Sequence, residues 1–312
     1  MTFELPVEVS GFERSYSVVK DGRRNEQFSV ADIIRAAVVA GYEAGGVGSD
    51  WRIRAWRIAS IRLALDLPPL ASPGVPRQLS HPRAWRRLDP SEKASVNNLL
   101  GNTVTKLLCE RILNAPRLWF LDLFRTRFSA VLASSRRPDF FTQTLGGDWL
   151  SLEAKGRSYR PSVAKLASAK EQANALRSVN GSRIKARVVC WTMEQSGSVS
   201  ARFHDPAPSQ PDGENLEVEW EDLLRDYYAP VHEIIQVSER VERTEDLALY
   251  RFVAGDFVIG LHPRVQEFLD LPQAASKTKH LHFELDTFAP AGTYVAGPDG
   301  IILIPGRSWP RD

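Results

Sequence analysis

Apolar and polar residues alternate on both sides of a short glycine segment near the middle of the chain. The alternation is centred on residues 145–147 (Leu-Gly-Gly), which predicts two antiparallel strands joined by a three-residue turn. Side chains point alternately to the two faces of a strand, so this register sets Phe141 opposite Ser151 and Gln143 opposite Trp149. One face of the hairpin then carries an apolar row of Phe140, Leu150, Leu152 and Ala154. We expect this face to be core and the other to be available for chemistry.

A helical pattern precedes the hairpin. Asp89, Pro90 and Glu92 are typical of a helix start, because an acidic cap and a first-turn proline suit the free N–H groups there. The apolar residues that follow recur at helical spacing: Val96, Leu99, Leu100, Val104, Leu107, Leu108 and Ile112. A helix running to about Asn114 is therefore predicted.

A second helix and a strand are predicted after the hairpin. Residues 161–177 carry a stripe of small apolar residues at helical spacing, with Ser158 or Ser162 as the cap and the 180–181 Asn-Gly pair at the end. Residues 184–193 are rich in β-branched and aromatic side chains, which indicates a buried strand. Helix, hairpin, helix and strand thus follow one another.

The region before this core, residues 1–88, is predicted to be mostly helical. Its apolar pattern indicates helices over residues 30–42 and 51–67. Five prolines, at residues 68, 69, 73, 76 and 82, mark residues 68–90 as a linker and so indicate a domain boundary near residue 88.

The region after the core, residues 201–312, is predicted to be an α+β elaboration. A proline-rich loop is expected over residues 203–215, an acidic helix over 218–228, and hairpins over 247–261 and 294–304. With the core at residues 89–200, the chain is predicted to be of mixed α/β class.

Composition excludes several classes of protein. The chain has 312 residues, 43% hydrophobic and 25% charged, with a net charge of +2, so any nucleic-acid binding must come from local patches. It has two cysteines, Cys109 and Cys190, both on apolar elements, and we expect them to be buried rather than bonded to each other or to zinc. No phosphate-binding loop of an ATPase and no apolar run of about 18 residues occurs. A cytoplasmic protein without membrane contact is expected.

The polar face of the hairpin carries the candidate chemistry. The predicted register places Asp139 opposite Glu153, with Lys155 two residues further along the same face. Two neighbouring carboxylates repel each other unless a hard divalent cation lies between them, so the pair suits Mg²⁺. An adjacent lysine can orient an attacking water and offset charge on a phosphate.

The Glu-x-Lys spacing alone has little specificity. With nine lysines and 38 acidic residues, about one such pair is expected by chance, and one occurs. Pro-Asp also recurs at ordinary turns, at residues 211–212 and 298–299, so a solvent-exposed hairpin is the alternative interpretation.

The surroundings resemble those of the PD-(D/E)xK nuclease superfamily over about residues 91–195. The resemblance depends on Pro138-Asp139, the Glu153-Ala154-Lys155 segment, and the helix that follows. It implies a restriction-endonuclease-like αβββαβ core and phosphodiester cleavage dependent on Mg²⁺ or Mn²⁺, on DNA, with RNA as an alternative. In that case Asp139 and Glu153 would be metal ligands and Lys155 would orient the water. Duplex-cutting members often pair two sites, so a homodimer is a further expectation.

The resemblance also implies three further candidates. Many members carry a metal-facing glutamate on the first helix, for which Glu110 is available, while Asn102 stands where a glutamate often follows the glycine. Gln172 matches a glutamine that some members use to contact DNA or to position water. The competing hypothesis is a nuclease-like fold that no longer cuts and serves in binding or assembly.

Basic residues near the hairpin and near tryptophans are candidate nucleic-acid contacts. These are Arg157 and Lys170 in the core, and Arg54 and Arg57 in the amino-terminal region. Arginine beside tryptophan suits phosphate contact and base stacking. Alternatively, the tryptophans pack in the core and the arginines extend from its edge.

Overall fold

The described part of the chain folds into three β-sheets and several helices. The computed structural model describes residues 2–40, 51–66, 77–124, 137–195, 197–205, 213–243, 247–270 and 296–309. The strands are β1 (Thr2–Ser10), β2 (Gly22–Ser29), β3 (Arg77–Gln78), β4 (Arg117–Phe120), β5 (Phe140–Gln143), β6 (Trp149–Arg157), β7 (Leu176–Val179), β8 (Ser182–Arg183), β9 (Ala186–Gln195), β10 (Ser198–His204), β11 (Glu214–Leu216), β12 (Glu239–Arg243), β13 (Ala248–Phe252), β14 (Phe257–Leu261) and β15 (Ile301–Pro305). The α-helices are α1 (Phe12–Ser15), α2 (Val30–Val39), α3 (Trp51–Ala64), α4 (Pro90–Ile112), α5 (Leu121–Phe124), α6 (Val163–Asn174), α7 (Trp220–Gln236) and α8 (Pro263–Asp270). Within the described ranges, no helix has both the length and the apolar character needed to cross a lipid bilayer.

The largest sheet has the strand order β2-β1-β10-β9-β6-β5-β4, with β3 paired to β1. The β1–β10, β1–β3 and β6–β9 pairs are parallel, and the other pairs are antiparallel. Two smaller sheets have the orders β11-β7-β8 and β12-β13-β14-β15. The predicted mixed α/β class is confirmed.

The amino-terminal region differs from its predicted mostly helical character. Helices α2 and α3 confirm the two predicted helices but end at residues 39 and 64, before their predicted ends, and β1 and β2 were not predicted. Strand β1 buries alternate residues, Phe3, Leu5, Val7 and Val9, which is the period-two pattern of a strand with one buried face. The large sheet therefore draws strands from both sides of residue 88. The domain boundaries stay predictions.

The elements predicted for the middle of the chain are present. Asp89 caps α4 in a reciprocal capping box with Glu92, and Ser162, one of the two candidate caps, caps α6. The chain order is α4, β4, α5, β5, β6, α6 and β9, with the small strands β7 and β8 inserted before β9. Helix α6 ends at Asn174, earlier than predicted, because β7 begins at Leu176.

The carboxy-terminal prediction is confirmed in outline. Helix α7 extends beyond the predicted helix, and β13 and β14 form the predicted hairpin. Ala296 bridges to Ile302 in the second hairpin, of which residues 294–295 lie outside the described residues. The loop predicted over residues 203–215 is narrowed at both ends, because β10 reaches His204 and β11 begins at Glu214. Residues 206–212 of this loop lie outside the described residues.

Helix α4 packs directly on the backbone of β6. A Cβ atom on Gly156 would lie 1.6 Å from the Asn97 carbonyl oxygen, and one on Gly101 would lie 2.6 Å from the Gly156 nitrogen. Only glycine at both positions allows this approach. Gly156 shares a strand face with Ala154, so α4 covers that face. Cys190, next to Ala154 on β9, and Cys109 on α4 are buried and free, as predicted.

A buried ionic cluster joins α2, α4 and the turn before β15. Arg35 donates to both carboxylate oxygens of Glu110, at 2.6 and 2.8 Å, and to Asp299 Oδ2 at 2.9 Å. Lys106 contacts both Glu110 and Asp299. The hydroxyl of Tyr227 on α7 donates to Asp299 at 2.7 Å. Burial raises the pKa of Asp299, but Arg35 and Lys106 outweigh it and hold the pKa well below its usual range.

We predict that Gly156→Ala destabilises the protein by about 1–3 kcal/mol or more, because the added methyl group collides with helix backbone that cannot rotate away. Gly146→Ala is the matched control, since Gly146 is exposed and a Cβ there would have its nearest neighbour at 3.6 Å. Urea unfolding of both variants measures the difference. Equal stabilities would contradict the packing of α4 on β6.

We predict that Asp299→Ala lowers the free energy of unfolding by about 3–5 kcal/mol, because Arg35 and Lys106 would lose a buried counter-charge. Glu221→Ala removes a more exposed helical ion pair with Arg225 and should cost less than about 1 kcal/mol. Chemical denaturation compares the two. A small effect of Asp299→Ala would show that the cluster does not hold these elements together.

Candidate active site

The β5–β6 hairpin has the predicted register. Phe141 pairs with Ser151, and Gln143 pairs with Trp149. Gly147 in the turn has φ +86°, a conformation that favours glycine. Asp139 lies immediately before β5, beside the strand that carries Glu153.

Asp139 and Glu153 are held by reciprocal hydrogen bonds across the two strands. The Asp139 N–H donates to Glu153 Oε2 at 3.1 Å, and the Ala154 N–H donates to Asp139 Oδ2 at 2.9 Å. Lys155 Nζ contacts Glu153 Oε1 and lies 3.8 Å from Asp139 Oδ2. The three side chains therefore converge at one point, where backbone donors orient both carboxylates.

The environment disfavours two negative charges at this point. The Glu153 side chain is fully buried, and burial together with the Asp139 carboxylate raises the pKa of Glu153 to about 8, against the opposing effect of Lys155. Burial also raises the pKa of Asp139, and Lys155 again opposes it. Near neutral pH the pair will readily take up a proton or a cation.

The face that bears these side chains is less open than predicted. Trp149 and Phe141, nearer the turn, are buried and pack against Trp119. Trp220 of α7 contacts Trp149 from the same side. Ser151 is buried and donates to a carbonyl of α6. Both faces of the hairpin are core near the turn, and the polar group lies where this cover ends.

The candidates on the first helix, Glu110 and Asn102, do not join this group. Helix α4 lies on the Gly156 face of β6, whereas Glu153 and Lys155 point to the opposite face. Glu110 is engaged by the buried cluster described above, and Asn102 is buried. Across the part of the chain that the structure describes, no three His, Cys, Asp or Glu side chains come together as a metal site.

An acidic neighbour was missed by the sequence reasoning. Asp122 on α5 forms an ion pair with Arg137 and adds to the rise in the pKa of Asp139. A hydrogen bond from the Leu121 N–H to the Asp139 carbonyl, 2.9 Å long, holds α5 there. No spacing pattern connects these positions, which are 17 residues apart, so only the fold brings them together.

The other candidate nucleic-acid contacts in the core lie on β6 and α6. Arg157 continues the Glu153–Lys155 alternation to the end of β6 and is half-buried. Lys170 and Gln172 are half-buried on α6, which packs against β6 and β9. These three stay candidates for a surface near the site.

Arg54 and Arg57 lie within the helical layer. Arg54 is 2% exposed and pairs with Glu233 on α7 at 3.3 Å, so its side chain faces α7 rather than solvent. Arg57 is half-buried and donates to the Ala40 carbonyl. Their helix, α3, packs on α2, α4 and α7, so these arginines belong to the helical layer.

We predict that the contribution of Glu153 to stability falls as the pH rises from about 4.5 to about 8. The folded protein retains the Glu153 proton over this interval while the unfolded chain releases it, so unfolding becomes more favourable. Glu153→Gln cannot ionise and should flatten this part of the stability curve. Urea unfolding at several pH values tests this, with Glu171→Gln on the exposed surface of α6 as control. Parallel curves for wild type and Glu153→Gln would contradict the prediction.

Comparisons with known proteins supply no relative for this chain. No family model matches it, and neither a search of curated proteins nor a search of solved structures finds a match. The function must therefore be inferred from the contacts of Asp139, Glu153 and Lys155.

Proposed function

We propose that this protein is a metal-dependent nuclease that hydrolyses phosphodiester bonds, with DNA as its substrate. The observation that carries the proposal is the convergence of the Asp139, Glu153 and Lys155 side chains on one face of β6. Asp139 and Glu153 are linked by hydrogen bonds across the two strands and lie beside a lysine where burial opposes their ionisation. Such an arrangement is more typical of a functional site than of a structural one.

The donor set fits Mg²⁺ or Mn²⁺. Both carboxylates offer hard oxygen ligands, and Mg²⁺ is commonly held by one or two carboxylates while water and substrate phosphate fill the remaining positions. Glu153 Oε1 is buried and contacted by Lys155 Nζ, and a carboxylate oxygen keeps a second lone pair that a metal could take. Asp139 and Glu153 would hold the ion, which when bound would lower the pKa of a water ligand and polarise the phosphate.

The residues of the chain have separable roles in this proposal. The backbone N–H groups of Asp139 and Ala154 keep the two carboxylates in a fixed orientation. Lys155, which is 21% exposed, can reach an attacking water and a phosphate oxygen from its place beside both carboxylates. Its positive charge would offset the charge that develops on the phosphate.

The resemblance to the PD-(D/E)xK superfamily supports the same function. The order α4, β4, β5, β6, α6 and β9 supports the likeness to the αβββαβ core when α5, β7 and β8, which are inserted between these elements, are set aside, and β6 carries the Glu-x-Lys segment. DNA as substrate, and a homodimer that pairs two sites on a duplex, come from this resemblance. RNA is the alternative substrate.

A second candidate is a nuclease-like protein that binds nucleic acid without cutting it. Lys155 already offsets part of the charge of the two carboxylates, and the described residues bring no third acidic ligand to them. A site with this composition can be stable without a metal, and then the chain would serve in binding or assembly.

We predict Mg²⁺- or Mn²⁺-dependent cleavage of plasmid, linear or single-stranded DNA. Glu153→Gln should abolish it through loss of a metal ligand, and Lys155→Ala should reduce the rate by at least about 100-fold, the usual size of a lost electrostatic contribution. Gel assays with and without EDTA measure this.

Lys20→Ala is the control, because Lys20 is exposed and remote from β6 in the chain. Each variant is first checked for wild-type folding by circular dichroism. Binding without cleavage by the wild type would favour the second candidate, and cleavage unaffected by both site variants would reject the proposed site.

A further inference from the structure

An exposed tyrosine lies just beyond the candidate site. Tyr159 follows the end of β6 by two residues and is 44% exposed. Its carbonyl accepts a hydrogen bond of 3.2 Å from the indole N–H of Trp191, and the two rings are 6.3 Å apart. Trp191 is the β9 partner of Lys155 in the parallel register, so its side chain is on the same sheet face. The backbone of Tyr159 is thus held on the face of the candidate site.

Two cationic side chains, Lys165 and Arg157, lie near this ring. Lys165, on the first turn of α6, donates to the Tyr159 hydroxyl at 2.9 Å and lies 4.2 Å from the ring centre. This hydrogen bond lowers the pKa of Tyr159, and Arg157 contributes in the same direction. Arg160 is exposed and reaches Glu8 at 3.6 Å. Glu8 is neutralised by a two-pronged ion pair with Arg202, at 2.8 and 3.0 Å.

We propose that Tyr159 is a stacking platform for an unpaired base next to the candidate site, and that Arg157 and Lys165 contact the adjoining phosphates. The substrate class would then be single-stranded or locally unpaired nucleic acid. The inference rests on the proposed function, because it names the substrate for the same site.

The arrangement favours a single strand over a duplex for a physical reason. Proteins that bind single strands combine a basic track with exposed aromatic rings, since every unpaired base offers a face for stacking. In a duplex those faces are covered by neighbouring bases, so an exposed ring has nothing to stack on without unpairing. Lys155 and Arg157 alternate along one strand face and lead towards Tyr159, which places the ring at the end of a cationic line.

The test is binding of fluorescent single-stranded and duplex oligonucleotides of one sequence, in EDTA so that no cleavage occurs. Tyr159→Ala should weaken single-strand binding by about five- to one-hundred-fold, the usual effect of losing one aromatic stack. Tyr159→Phe keeps the ring and should weaken it much less. Arg157→Ala should reduce the salt dependence by the equivalent of about 0.7 in log–log slope, as expected for one lost phosphate contact. DNA and RNA arms identify the polymer.

Tyr250→Ala is the matched control. Arg240 donates to the Tyr250 hydroxyl at 3.3 Å and lies 5.5 Å from its ring. Tyr250 therefore has a cationic neighbour like that of Tyr159, but in a different sheet. This variant should bind as the wild type does. The inference is overturned if Tyr159→Ala binds single strands normally, if it weakens duplex binding equally, or if the wild type binds neither form.

Failure of the inference and failure of the proposed function give different results. If single-strand binding depends on Tyr159 but no metal-dependent cleavage is found, only the proposed nuclease activity is rejected. If the Tyr159→Ala variant cleaves duplex DNA as fast as the wild type, and Glu153→Gln abolishes that cleavage, only the stacking role of Tyr159 is rejected.

Discussion

The close approach of α4 to β6 at Gly101 and Gly156 is the constraint on which the candidate site depends. With no Cβ atom on either side, the helix lies against the strand backbone one residue beyond Lys155. Strand alternation then leaves Glu153 and Lys155 only the opposite face. This contact both positions the strand and separates α4 from the carboxylates, which is why neither Glu110 nor Asn102 completes the site.

The burial of Glu153 is what makes a negative charge unfavourable at the candidate site. Aromatic residues of β4 and β6 pack against α7 near the turn, and α6 covers the next part of the same face. Glu153 lies where this cover ends, out of contact with water but beside a partly exposed lysine and aspartate. In such surroundings the carboxylate charge is unfavourable until a cation or proton joins it. A solvent-exposed hairpin of the same sequence would lack this property.

Several features could be predicted from the sequence because they depend on short-range physics. The hairpin register follows from alternation and a glycine turn, and the start of α4 follows from the reciprocal cap of Asp89 and Glu92. The convergence of Asp139, Glu153 and Lys155 needed only that register. Strand β1 had an equally readable alternation of buried residues and was missed because the region was interpreted as helical.

The sequence by itself determined the hairpin, its helical neighbours and the set of residues that could do chemistry on one strand face. Only the tertiary structure decided which other residues join them. Glu110 was taken into an ionic cluster with Arg35 and Asp299, 75 and 189 residues away in the chain, and Arg54 was paired with Glu233. Charges of this kind are partnered by the packing of distant elements, because the cost of burying a charge is met by whichever opposite charge the fold brings near. The spacing of residues along the chain does not show which distant charge will become the partner.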